Sequence, residues 1–328
     1  MQVSPSVRAV QVPDDDPMHT QMTSIYVVGK DQVLSIDSGE ELERFRWMLR
    51  GYLAAVEQAE IALAGITHHH LDHSGNLKWI REHYNADILV HAEGVPLLEE
   101  QLPDAGVRML SEGQVIDLGS TKVRVLATPG HSIDSVCYYI EDEGVLFTGD
   151  TMLGSTSTTV WDLSMYMATL QRLQTLPNLK VICPGHGPLI HDPRERIQGY
   201  IDHRNKREQQ IVQTLAEQGE QTSWDIMLKM YPEIDTRLRF AANINVETHL
   251  AKLEREGRLK AHGGKAKVKS PEELRRAEEH AHERAEVIAK GKQYEKEDRQ
   301  ALIASMENPP TETWEVPPTY ELIGRPGE

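Results

Sequence analysis

Thr67-His68-His69-His70-Leu71-Asp72-His73 sets four histidines and a carboxylate directly behind the apolar run Ile61-Ala62-Leu63-Ala64-Gly65-Ile66. A buried strand that runs into such a loop aims alternate side chains at one point, and imidazole and carboxylate are donors that suit zinc. Taken alone, the segment is also compatible with a solvated His-rich loop. Three later segments narrow that choice, because each closes an apolar strand with a glycine-flanked turn holding one more donor. They are Thr128-Pro129-Gly130-His131-Ser132, Phe147-Thr148-Gly149-Asp150-Thr151 and Cys183-Pro184-Gly185-His186-Gly187. Glycine lets the backbone turn sharply at a strand end and carry the next side chain close to a metal. One His after Pro-Gly is ordinarily a turn residue; four such strand ends in one chain point to a metal centre.

Outward from these turns, the first two hundred or so residues alternate short apolar runs with helices. Ser24–Val28 and Gln32–Ile36 read as strands joined at Gly29-Lys30-Asp31, and a helix follows over Glu41–Ala55. Ile61–Thr67 is a buried strand, Asn76–Tyr84 a helix and Asp87–Val90 a strand. Val115-Ile116, Val123–Leu126, Val136–Ile140, Val145–Phe147 and Val181–Cys183 form a second strand-rich half. Between its last two strands, Leu163, Tyr166, Met167, Leu170 and Leu173 share one face of a helix over Asp162–Leu176.

Beyond Pro193 the strand signals give way to helices over Pro193–Glu217, Ser223–Met230 and Arg239–Glu256, then a hairpin turning at Gly263-Gly264. Helix, helix, helix, hairpin is the order of a winged helix-turn-helix. Pro271 opens a charge-rich helix over Glu272–Met306, and the Pro-rich tail Asn308–Glu328 reads as irregular. Its Trp314, Tyr320 and Leu322 predict docking, on the chain's own catalytic domain or on a second subunit in a homodimer. The domains predicted are residues 1–200, 201–270 and 271–328.

Composition bounds the partners. With 328 residues, 39% apolar and 26% charged, the chain suits one large domain and a smaller appendage. The stretch before Thr20 resembles neither a secretory signal nor a transit peptide, so a cytoplasmic protein with no membrane span is expected. Cys137 and Cys183 sit in apolar runs and read as buried thiols. A formal charge of −16 opposes general affinity for polyanions, although a basic strip, Arg258, Lys260, Lys265, Lys267 and Lys269, lies in the predicted wing.

In order and spacing, His68, His70, Asp72, His73, His131, Asp150 and His186 resemble the metallo-β-lactamase superfamily. Pro184-Gly185-His186-Gly187-Pro188, Tyr200–Arg204, Arg207–Ile211 and a following winged helix resemble the β-lactamase-like protein 2 subfamily, over about Ser24 to Val268. The resemblance implies an α+β fold, a four-layer αββα sandwich with a C-terminal winged helix and a helical extension. It implies two zinc ions, one on His68, His70 and His131, the other on Asp72, His73 and His186, with Asp150 bridging. A hydroxide between them would be the nucleophile, and Asp72, His131 and Asp150 the residues on which turnover depends.

Substrate is less determined. Thr156-Ser157 and Val160-Trp161-Asp162-Leu163 replace the residues the subfamily carries after the bridging Asp, so Thr156, Trp161 and Tyr166 are expected pocket-wall residues, with plain packing an equal reading for Trp161. Asn76 replaces the second glycine of the usual HxGG, and His69 points away from the metals by strand alternation. His19 borders the site mouth or is simply exposed; His91 and His191 read as turn residues. The loops favour a small ester, thioester or lactone. Single-stranded RNA, cleaved by animal members of the subfamily, is the alternative, and a nucleic-acid-binding or interaction protein with a vestigial metal site would be signalled by lost ligands, of which there are none.

Overall fold

Seven strands form the first sheet: β1 (Gln2–Ser4), β2 (Val7–Pro13), β3 (Met22–Val28), β4 (Val33–Ile36), β5 (Ile61–Gly65), β6 (Asp87–His91) and β7 (Val107–Leu110), side by side in chain order. This computed structural model describes residues 1–13, 22–30, 32–57, 60–98, 100–267 and 314–324, without the side chains of 56, 57 and 237. His19, Lys269 and the helix expected over 272–306 lie outside the described residues.

Neighbours from β1 to β4 are antiparallel, and from β4 to β7 parallel. Parallel neighbours need a crossover, and α1 (Glu43–Tyr52), which runs on into a π turn at Leu53–Glu57, and α3 (Leu77–Tyr84) supply two of them. The second sheet is β8 (Val115–Asp117), β9 (Lys122–Ala127), β10 (Val136–Ile140), β11 (Val145–Gly149) and β12 (Val181–Pro184), again ordered as in the chain. Only β11 and β12 in it are parallel, bridged by α4 (Leu163–Gln174).

Period-2 alternation sends half of each strand to either face. Val7, Ala9, Tyr26, Val28, Leu34 and Ile36 meet Val123, Val125, Tyr138, Ile140, Val145 and Phe147 between the sheets, where Tyr26 and Phe147 pack edge to face at 5.1 Å. On the outer face of the first sheet Val10, Val12, Ile25 and Val27 pack with Phe45 and Leu49 of α1 and Leu77 and Ile80 of α3. Helix α4 buries Tyr166, Leu170 and Leu173. The result is the αββα sandwich of the α+β class.

Strand β2 is a departure from expectation. Arg8 and Gln11 interrupt its apolar pattern, yet Arg8 is buried, its guanidinium donating to the carbonyls of Ser6 and Gly29, each at 2.8 Å. Met and Arg in Val107–Leu110 hide β7 in the same way.

The chain divides into two compact units, residues 1–158 with 164–201 and residues 159–163 with 202–328. In the second, the far part of α5 (Pro193–Gln218), then β13 (Gln221–Thr222), α6 (Ser223–Met230), α7 (Arg239–Arg255) and β14 (Leu259–His262) follow the winged-helix order. Thr222 caps α6, its hydroxyl accepting from Asp225 N. The core is Ile211, Leu215, Trp224, Met227, Val246, Leu250, Leu253 and Leu259.

Two expectations are corrected here. Gly263-Gly264 does not close a hairpin between 258–262 and 265: β14 pairs with β17 (Thr319–Leu322), and β15 (Lys265–Ala266) with β16 (Trp314–Val316). The tail is not irregular over these residues, because β17 inserts between β13 and β14 and packs Tyr320 and Leu322 against the winged-helix core. Over the described residues, the tail thus docks on the winged helix itself, a surface that the expectation of docking on the catalytic domain or a second subunit did not name. Both glycines have positive φ, 62° and 86°, and Gly264 faces Pro318 across the ribbon. They bend the outgoing strand and do not reverse it.

Candidate metal centre

Four strand ends of the first unit converge. β5 stops at Gly65, the chain bends through Thr67, His68 and His69, and α2 (Leu71–Ser74), a single helical turn starting after His70, carries Asp72 and His73. The turn after β9 passes through Gly130, at φ 144°, where a Cβ would come within 2.5 Å of the Tyr166 Cα. The turn after β11 uses Gly149, at φ 47°, where a Cβ would strike the Thr67 side chain. Only glycine permits both the turn and the approach, so His131 and Asp150 reach the same point as the histidine loop. After β12, His186 pairs with Thr23 of β3 in an isolated bridge.

All seven predicted donors fall into two groups that share Asp150: His68, His70, His131 and Asp150, and Asp72, His73, His186 and Asp150. In the first, His68 Nε2 is 2.9 Å from His70 Nδ1, and His131 Nε2 is 3.3 Å from each. In the second, Asp72 Oδ2 is 2.8 Å from His186 Nε2 and 3.1 Å from His73 Nε2, and the two ring nitrogens are 3.3 Å apart. Asp150 Oδ1 stands 3.3 Å from His73 Nε2 and 3.4 Å from His186 Nε2. Two donors bonded to one zinc at about 2.0–2.1 Å and near the tetrahedral angle stand roughly 3.3 Å apart. Asp150 Oδ1 is also buried without a hydrogen bond, the position of an acceptor awaiting a cation. Spacing and orphaned oxygen both fit a pair of metal ions.

Protonation agrees with the spacing. Burial, with the neighbouring His73, His70 and His131, lowers His68 well below the usual imidazole range; burial and His131 push His70 down to about 4. Both rings are neutral at pH 7 and offer lone pairs. Burial alone would raise the Asp72 carboxyl, but His73 and His186 hold it far below the ordinary carboxylate range, and the same residues do so for buried Asp150. Burial opposes charge on His73 too, yet Asp72, Asp37 and Asp150 raise its pKa well above normal. Without a metal, a proton on His73 balances these carboxylates.

The second nitrogens of four rings are fixed by residues that the sequence reading missed. His73 Nδ1 meets Asp37 Oδ2 at 2.8 Å, His186 Nδ1 meets Thr23 Oγ1 at 3.1 Å, His131 Nδ1 meets Thr158 Oγ1 at 3.0 Å and His68 Nδ1 meets Thr67 Oγ1 at 3.1 Å. Such partners hold ring orientation and tautomer. Asp37, at φ 63°, has the strand-end turn signature of the ligands themselves, in Ile36-Asp37-Ser38-Gly39; nothing local marks Thr23 or Thr158.

The remaining candidates separate. His69 joins neither group and pairs with Asp134 at 2.9 Å. Asn76 stands at the start of α3, where its side chain makes no cap bond to the helix but donates to the carbonyls of Ser38 and Glu40 and accepts from Arg46 Nε at 2.7 Å. Tyr166 is fully buried, its hydroxyl donating to the Thr151 carbonyl, so it braces the loops that carry His131 and Asp150. Thr156 is exposed, with its carbonyl accepting from Tyr200 and Arg196. Trp161 belongs to the second unit and is 59% exposed.

Comparison with known proteins places these features in a family. Residues 20–186 match the Metallo-beta-lactamase superfamily, and residues 222–267 the Beta-lactamase associated winged helix domain. A Beta-lactamase-like protein 2 homolog of Drosophila melanogaster is 34% identical over 74% of this chain and 86% of its own. The Atrochrysone carboxyl ACP thioesterase of Aspergillus fumigatus is 35% identical over 64% of this chain, spanning 65% of that relative, just under two thirds of its length. Among solved structures, a beta-lactamase domain protein from Burkholderia ambifaria superposes with a TM-score of 0.73 at 21% identity, covering 80% of this chain and 89% of that one. That likeness is one of fold.

Proposed function

Because this chain belongs to the Metallo-beta-lactamase superfamily and carries its associated winged helix domain, we propose that it is a dinuclear zinc hydrolase of a small ester, thioester or lactone. The observation that carries the reading is the sharing of Asp150 by two otherwise separate donor sets. His68, His70 and His131 would hold one ion, Asp72, His73 and His186 the other, and Asp150 both. All are nitrogen or oxygen donors, which suit zinc. Zinc, when bound, lowers the pKa of a coordinated water toward neutrality and polarises an acyl oxygen.

The chain's own residues prepare that chemistry. Asp37, Thr23, Thr158 and Thr67 orient four imidazoles, and Asp72 and Asp150 stay ionised to balance positive charge. The acyl class is favoured by the composition of the ligand turns, which hold the exposed Leu71 and no Lys or Arg in 67–73, 128–133, 148–153 or 184–188. A phosphodiester enzyme surrounds its metals with cations that grip flanking phosphates. The thioesterase named among the relatives points to the same substrate class.

The test is a turnover screen of the full chain over p-nitrophenyl esters, acyl thioesters, lactones, phosphodiesters and labelled RNA, with zinc, iron and manganese content measured alongside. Acyl hydrolysis is expected to exceed any RNA cleavage at physiological salt and to disappear in Asp72→Ala and His131→Ala. Robust metal-dependent RNA cleavage with no acyl hydrolysis would overturn the reading.

A further inference from the structure

Each of the four ligand-bearing turns is held from outside by a hydroxyl that donates to its backbone. Tyr138 Oη of β10 donates to the Ile66 carbonyl at 2.8 Å, two residues before His68. Thr169 Oγ1 of α4 donates to the Pro129 carbonyl at 2.9 Å, two residues before His131. Tyr166 Oη, on the same helix, reaches the Thr151 carbonyl beside Asp150 at 2.6 Å. Tyr26 Oη of β3 reaches the Pro184 carbonyl at 2.7 Å, two residues before His186. All four donors are buried. His73, further along the first loop, has its own anchor in buried Ser38, whose N and Oγ donate to the His73 carbonyl at 2.7 and 2.9 Å.

A buried hydroxyl needs some acceptor, so one such bond has no special meaning. The choice of acceptor does. Tyr139, next along β10, donates to the Pro177 carbonyl, outside every ligand turn. The chain also makes room for these bonds: a Cβ at Gly65 would stand 2.5 Å from Tyr138 Oη. Asp37, Thr23, Thr158 and Thr67 set how the imidazoles are turned, but not where their backbone stands. Turns at glycine are the least restrained backbone, whereas a metal site needs its donors held within about 0.5 Å. Hydroxyls carried by strands and a helix supply the missing restraint.

We infer that, on the two-metal reading above, these hydroxyls are positioning groups divided between the ions. Tyr138 and Thr169 place the backbone of the set His68, His70 and His131. Tyr26 and Ser38 place that of His186 and His73 in the other set. Tyr166, through the turn that carries Asp150, serves both.

Chelator competition with zinc on the full chain tests this division. The unaltered chain is expected to fill in two steps, which His131→Ala and Asp72→Ala, each lacking one of them, assign to the two sets. Tyr138→Phe and Thr169→Val should weaken the step of the first set about tenfold, the lower end for partners just outside a metal's ligands, and leave the other step unchanged. Tyr26→Phe and Ser38→Ala should do the reverse, and Tyr166→Phe should weaken both. Tyr139→Phe is the control and should move neither. With metal removed, each variant should melt lower by about 2–4 °C for one lost hydrogen bond, so a purely structural role would not sort the affinity losses by set. If a tyrosine variant does not fold, Thr169→Val and Ser38→Ala read the same two sets. Two steps in the unaltered chain, with losses that are absent, equal in both sets or matched by Tyr139→Phe, would overturn the inference alone. Fewer than two ions in the unaltered chain would bring down the two-metal reading and the division with it.

Discussion

His73 Nδ1 and Asp37 Oδ2 lie 2.8 Å apart with both side chains buried, and Asp37 also accepts from Thr67 N at 2.7 Å and Thr67 Oγ1 at 3.1 Å. One carboxylate thus fixes a ring of the second donor group and the loop that begins the first. With Nδ1–H donated to Asp37, His73 Nε2 faces Asp72, His186 and Asp150 and is the nitrogen that would bind a metal once its proton is displaced. Asn at position 37 offers one acceptor where two are needed and turns an NH2 toward a donor. Asp37→Asn should lower metal affinity by about 10–100-fold and destabilise the fold by roughly 1–3 kcal/mol. Competition titration with a chromophoric chelator measures the first effect; unchanged affinity in a folded variant would refute the positioning role.

The two donor sets make unequal demands on Asp72 and Asp150. Asp72 belongs to one set, Asp150 to both. Elemental analysis of the unaltered chain should give close to two metal ions per chain. Asp72→Ala should retain about one, and Asp150→Ala should fall below that while also losing most turnover. Equal stoichiometry in the two variants would contradict a shared ligand.

What could be read from sequence was whatever lies close along the chain. Each ligand sits in a turn that ends a strand, so the strand, the glycine and the donor are neighbours, and the order of the four turns identifies the family. Partners made by packing left no such trace. Thr158 meets His131 across 27 residues of chain, and Thr23 meets His186 across 163; neither threonine differs locally from any other. Strand β2 was hidden by Arg8, whose burial is intelligible only once the carbonyls of Ser6 and Gly29 are in place. The wing misled for the opposite reason: Gly263-Gly264 is a strong local hairpin signal, overridden by the pairing of β14 with a strand about sixty residues further on.

Glu247 of α7 is half-buried in the winged helix, and burial raises its pKa, although Ser223 Oγ and Asn243 Nδ2 both donate to its Oε1 at 3.1 Å. A carboxyl raised in the folded state binds its proton more tightly there than when unfolded. Stability therefore falls as pH climbs through and above the normal glutamate range, and the penalty is complete once the folded group ionises. Glu247→Gln keeps an acceptor for both donors and removes the penalty. It should raise the melting temperature at pH 7, by the equivalent of about 1 kcal/mol or less, with the advantage vanishing near pH 4. A melting temperature lower than that of the unaltered chain at pH 7 would show that the ionised carboxylate is favourable there.

Gly130 precedes His131 at φ 144°, and a Cβ there would stand 2.5 Å from the Cα, 2.6 Å from the Cβ and 2.8 Å from the N of Tyr166. Two of those three atoms are backbone of α4, and the fully buried Tyr166 ring, tethered through its hydroxyl to the Thr151 carbonyl, has no room to withdraw. The clash is thus relieved by moving the 128–132 turn, and His131 moves with it. Gly130→Ala should cost about 1–3 kcal/mol through overpacking, with further strain from the positive φ, and should weaken the set containing His68, His70 and His131 more than the set containing Asp72, His73 and His186. Metal titration resolving two binding steps separates these outcomes. Loss confined to the first set supports the packing argument, an equal loss in both would mean that the whole cleft has rearranged, and full metal content at an unchanged melting temperature would show that the turn adapts freely.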